Sequence, residues 1–209
     1  MFQSIFTSML KALLICCLTA LSFSLHATDY SGIYSYNKGM NKAGATLYLS
    51  HFSEDSAFFL IQAMSGMPDF FTTEIKGFIR IDNGLGIYQP KDSCRIEFIF
   101  TTSSCTISEN GYCKNEFGTD GKYKKTATKV KKGIGLLPGF SDKSGTITQD
   151  STSCYSIPHY SSPSACSLLN NESVTITDEF NGFYLIEIKS KKNEFLWVPK
   201  KNIQLAKKR

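Results

Sequence analysis

The feature that most narrows the fold of this chain is a two-residue alternation of apolar and polar side chains, held over short runs and cut by turn chemistry. In 74–81, Ile75, Gly77, Ile79 and Ile81 share one parity and Glu74, Lys76 and Arg80 the other. Successive side chains of a strand point to opposite faces, so such a run has one face to bury and one to wet. Cys94, Ile96, Phe98 and Phe100 share a face in the same way, and Cys105 and Ile107 share parity on a returning segment. Glu54-Asp55-Ser56, Ser65-Gly66-Met67-Pro68-Asp69, Asn83-Gly84 and Asp120-Gly121 are the turn signals between runs, the last two read as tight hairpins. Together they predict an antiparallel β domain over 28–126.

A second β unit is expected over 145–206, from runs at 153–157, 165–169, 173–177, 183–189 and 195–198. Five short strands in so small a unit point to a closed barrel, because closure removes exposed sheet edges. The interval 127–144 has lysines, Gly133, Gly135 and Pro138-Gly139 with weak periodicity, and reads as a lysine-rich linker. The fold class expected is all-β in two units.

The second unit resembles the bacterial Src homology 3-like domains of exported proteins. The residues that carry the likeness are Val174-Thr175-Ile176, the turn Asn181-Gly182 before Phe183-Tyr184-Leu185, and the stretch from Phe195 through Trp197-Val198-Pro199 to Ile203. Phe183 stands where that family often has tryptophan, and Leu196 replaces the glycine usual before Trp197. The resemblance implies a five-stranded barrel with a turn of helix before its closing strand. Residues 28–126 resemble the amino-terminal unit of a group of exported bacterial proteins without an agreed activity. That likeness rests on Gly32-Ile33-Tyr34, Ala45-Thr46-Leu47, Gly86-Ile87-Tyr88 and Cys94 with Ile96-Glu97-Phe98. It implies export and a Cys94–Cys113 bridge.

Residues 1–27 have the plan of a cleavable signal peptide: Lys11, an uncharged stretch from Ala12 to Leu25, then Ala27 before Thr28-Asp29. The stretch is too short and too interrupted by Thr19, Ser22 and Ser24 to span a bilayer, so no transmembrane anchor is expected, and localisation is read as periplasmic or secreted. Five cysteines follow it: Cys94, Cys105, Cys113, Cys154 and Cys166. In an oxidising compartment they pair where geometry allows, and an odd number leaves one over. Clustering along the chain makes Cys94 with Cys113 and Cys154 with Cys166 the economical pairing, with Cys105 free and shielded.

Catalytic chemistry finds little support. His51 and His159 are far apart in sequence, and the cysteine spacings lack a Cys-x-x-Cys pair, so neither a metal site nor a cofactor is expected. Glu54-Asp55 and Asp178-Glu179 fall in turn regions, where solvation is the default reading. Gly118-Thr119-Asp120-Gly121-Lys122 has its glycines too close for a phosphate loop. The lysines from Lys122 to Lys132 lack arginine and interleaved aromatics, so no nucleic-acid partner is expected.

The expectation is therefore a non-enzymatic exported binding protein that recognises a cell-envelope glycan or peptide. Its ligand-binding aromatics would be Tyr155, Tyr160, Phe183 and Trp197, in the manner of the groove by which Src homology 3-like barrels hold peptides. One alternative is a periplasmic inhibitor or immunity protein against a toxin or hydrolase. Another is a secreted effector or cryptic hydrolase using Cys105 and His51.

Overall fold

In a computed structural model the described residues are 28–37, 39, 42–68, 71–91, 93–111, 113, 119–130, 143–187 and 195–206. The expected signal peptide, residues 1–27, lies outside them, as does most of the expected linker, 131–142. No helix among the described residues is long and apolar enough to cross a membrane.

The first unit is an up-and-down barrel of eight antiparallel strands. They are β1 (Gly32–Asn37), β2 (Gly44–His51), β3 (Ser56–Met64), β4 (Thr72–Asp82), β5 (Leu85–Lys91), β6 (Cys94–Phe100), β7 (Ser104–Gly111) and β8 (Gly121–Ala127), with β8 returning to β1. The alternation read from the sequence is the inward set of the barrel. Ile75, Ile79 and Ile81 point in with Ile96, Phe98, Phe100, Cys105 and Ile107, and the large side chains Tyr34, Leu47, Leu49, Phe59, Ile61 and Tyr123 are fully buried among them. The interior is a packed core, as small barrels require. Its fully buried phenols Tyr34 and Tyr123 are satisfied: Tyr34 donates to the Tyr30 carbonyl and Tyr123 to the Thr119 carbonyl at 2.7 Å.

Asn83-Gly84 forms the expected tight turn, both residues having positive φ (48° and 81°), as a two-residue hairpin of the right twist needs. Asp120-Gly121 does not. Gly121 opens β8 opposite Ile107, and the β7–β8 connection is the longer 112–120. Asp120 accepts the Glu109 amide at 2.6 Å, and Glu109 in turn accepts from the Thr119 amide and hydroxyl. The Cys94–Cys113 disulfide staples this connection to β6, and Cys154–Cys166 joins two neighbouring strands of the second unit. Such bridges belong to an oxidising, non-cytoplasmic compartment.

The second unit holds one seven-stranded sheet rather than five strands. The five expected runs are β10 (Ser151–Tyr155), β11 (Ser164–Leu169), β12 (Ser173–Phe180), β13 (Phe183–Glu187) and β14 (Phe195–Pro199), to which β9 (Lys143–Ile147) and β15 (Ile203–Leu205) are added. β9 and β15 are too short to show a period, and they become strands by pairing with each other and, through β9, with β12. The order is β11-β10-β14-β13-β12-β9-β15, with no ladder between its two ends among the described residues. Ring closure is seen in the first unit, where β8 pairs with β1. A single 3-10 turn, Lys200–Asn202, precedes β15, where the resemblance implied a turn of helix before the closing strand.

One strand belongs to both units. Ala57 to Ile61 is buried without a break: Ala57, Phe59 and Ile61 face into the barrel, while Phe58 and Leu60 face out into a second cluster with Ile157, Phe183, Leu185 and Trp197. A strand covered on both faces reads as a continuous apolar run.

Candidate binding surface

β13 starts after the Asn181-Gly182 turn, again with positive φ at both residues (48° and 79°). The Asn181 amide group donates to the Pro158 carbonyl at 3.2 Å, which ties this hairpin to the 156–163 connection between β10 and β11. Within that connection the Ser162 amide donates to the His159 carbonyl, and the Ser161 amide donates to His159 Nδ1 at 3.1 Å. A neutral His159 ring therefore carries its proton on Nε2.

This scaffold brings three of the four expected aromatics together. Tyr160 lies with its ring centroid 4.8 Å from Phe183 and 5.9 Å from Tyr155, and Tyr155 meets Phe183 edge on at 5.8 Å. Their exposures differ sharply: Tyr160 is 59% exposed, Tyr155 half-buried and Phe183 1% exposed. Trp197 pairs with Tyr155 and Leu185 in the ladders but is 3% exposed, its ring 6.2 Å from Phe58 of the barrel. Phe183 and Trp197 are thus buried, and of the four expected aromatics Tyr160 and part of Tyr155 are open to solvent.

The structure also sets Phe52, Phe78 and Lys76 of the barrel beside residues of the second unit. His159 stacks on Phe52 at 4.4 Å and meets Phe78 edge on at 5.5 Å, so the connection that carries Tyr160 is anchored on barrel aromatics. Nearby, Lys76 bridges Glu74 (3.1 Å) and Asp178 across the two units and lies 5.9 Å from the Phe180 ring. Burial pushes the Glu74 carboxyl above its ordinary range despite the opposing Lys76 charge. Asp178, read from sequence as a solvated turn residue, sits in β12 and is mostly buried.

Cys105 is in the barrel interior, fully buried, and burial pushes its thiol far up, which holds it protonated and out of nucleophilic chemistry. Its thiol donates to the Thr106 carbonyl at 3.8 Å. His51 Nδ1 lies 3.3 Å from the Ser53 carbonyl, on the β2–β3 turn. Lys122, Lys124 and Lys125 belong to β8, Lys125 lying 5.4 Å from the Tyr34 ring, so the lysine run begins on the barrel wall rather than in a linker.

Fold and site together define an all-β protein of two joined sheets with an aromatic surface supported from beneath. Comparison with family models, with curated proteins and with solved structures finds no match to this chain.

Proposed function

We propose that this chain is an exported, non-catalytic binding protein that recognises a cell-envelope glycan or peptide through Tyr160 and the adjoining edge of Tyr155. The observation that carries this reading is Tyr160 itself, 59% exposed yet held against Phe183 at 4.8 Å. A tyrosine left in solvent but fixed on one side by a buried ring offers a flat apolar face with little rotamer freedom left to lose on binding. Ser161 is exposed beside it and supplies a hydroxyl for a polar ligand. The buried Cys105 thiol weighs against the hydrolase alternative.

The test is calorimetric titration of the chain from Thr28 onward with soluble peptidoglycan fragments, both glycan chains and their stem peptides. Tyr160→Ala is expected to weaken binding by about tenfold, the worth of an aromatic contact. It should leave thermal stability close to wild type, because the side chain is largely exposed. Unchanged affinity in a folded Tyr160→Ala protein would remove the assignment.

A further inference from the structure

The barrel wall has one weak seam. β3 and β4 pair continuously from Ser56↔Arg80 to Met64↔Thr72, but the ladder between β4 and β5 stops after Arg80↔Ile87, Ile81↔Gly86 and Asp82↔Leu85. Beyond Ile87, β5 continues to Lys91 with ladder partners on the β6 side alone, at Tyr88↔Ile96 and Lys91↔Cys94. Thr72, Glu74, Lys76 and Phe78 of β4 therefore have ladder partners only towards β3 among the described residues.

The direction of the β4 backbone groups follows from two hydrogen bonds. The Ile81 amide donates to the Asp55 carbonyl at 2.7 Å, on the β3 side, whereas the Lys76 carbonyl accepts from the Tyr88 hydroxyl at 3.3 Å, on the β5 side. Backbone groups alternate along a strand. Thr72, Glu74 and Phe78 thus direct their amides and carbonyls into the seam, as Lys76 does its amide, while the Lys76 carbonyl there already accepts from Tyr88. On the inner side the Tyr88 ring fills the seam: a Cβ at Gly77 would stand 2.3 Å from its Cε2, so only glycine leaves the ring room. On the outer side, Glu74, Lys76 and Asp178 carry two negative charges and one positive, with side chains 14% to 20% exposed.

We propose that this seam is a second binding site, which takes an extended polypeptide segment along the β5-side edge of β4, with a lysine or arginine of that segment facing Glu74. Donors and acceptors that recur every second residue, about 7 Å apart, match the backbone of another extended chain and not a sugar or a small anion. The excess negative charge of the Glu74-Lys76-Asp178 group selects a cation at the cross-strand position. This site lies on the barrel and does not depend on the role given to Tyr160.

The test uses the oxidised chain from Thr28 to Arg209, a displayed library of seven-residue peptides as the probe, and amide hydrogen exchange as the readout. In the free chain, the Glu74 and Lys76 amides should exchange much faster than those of Gly77 and Ile79, which face β3. Selected peptides should be rich in lysine or arginine, and should slow exchange at Thr72, Glu74 and Lys76 by about tenfold or more. N-methylation of alternate peptide amides should abolish the effect. Glu74→Lys should remove the selection for basic residues, and Glu74→Gln, the milder change, should weaken it. Slow exchange at Glu74 and Lys76 in the free chain would overturn the proposal, because the seam would then be closed. Failure of any peptide to be enriched, or protection confined to other strands, would overturn it equally.

Discussion

Phe58 and Trp197 meet edge to face, 6.2 Å between ring centroids, across the boundary between the barrel and the second sheet. Phe58 also contacts Phe78 and Phe180, so the outer face of β3 is the floor of an aromatic cluster shared by both units.

Removing that floor should cost as much as opening a core. Phe58→Ala is expected to lower unfolding stability by about 3 kcal/mol, the usual cost of a buried phenylalanine. Trp197 is the one tryptophan in the chain, so its emission should move to the red as water reaches it. Urea unfolding followed by fluorescence checks both. A loss below about 1 kcal/mol with unshifted emission would mean that the cluster does not join the units.

Glu74 gives a pH dependence of defined sign. Its folded carboxyl has a raised affinity for protons, so the unfolded chain releases that proton first as pH rises. The stabilising contribution of the protonated group is present below the unfolded carboxyl range and is lost as pH rises through the folded value. Stability of the wild type relative to Glu74→Gln should therefore fall between acid and neutral pH. Thermal melts across that range measure it, and a difference that rises with pH would show that the Lys76 ion pair outweighs burial.

Asp55 should behave in the opposite way. Hydrogen bonds from Ser56 and Ser53 and the Arg80 charge hold its carboxyl below the ordinary range. Its contribution is present above the unfolded carboxyl range and is lost as pH falls through the folded value. In Asp55→Asn the acid side of the stability profile should be flatter than in wild type.

Cys105 should be silent towards thiol reagents in the native chain and react fully once the chain is unfolded, with the two bridges intact. Labelling with a maleimide before and after denaturation, read by mass, tests this. Rapid native labelling would place the thiol outside the packed interior.

Trypsin should spare Lys122, Lys124 and Lys125 in the native chain, because β8 pairs with β1 on one side and β7 on the other. Timed digestion with peptide mapping decides it. Early cuts at these three lysines would mean that β8 is not part of a closed wall.

Much of this architecture was already written in local pattern. The inward set of β4, β6 and β7 follows from alternation alone, because the strand period is two and only one parity of Ile75, Ile79, Ile81, Ile96, Phe98 and Ile107 avoids water. Asn83-Gly84 and Asn181-Gly182 mark their hairpins because positive φ is required at both turn positions. The pairing of Cys154 with Cys166 follows from proximity along the chain, whereas Cys113 pairs with Cys94 rather than with the nearer Cys105, which is buried and free. Other features depend on distant partners and leave no local trace. β9 is a strand because it lies between β12 and β15, and β15 because it lies beside β9. The two-sided burial of Phe58 and Leu60 needs the second sheet to arrive, and the same packing buries Trp197. Closure of the first unit is a relation between β1 and β8, strands nearly a hundred residues apart, and no periodicity within either of them encodes it.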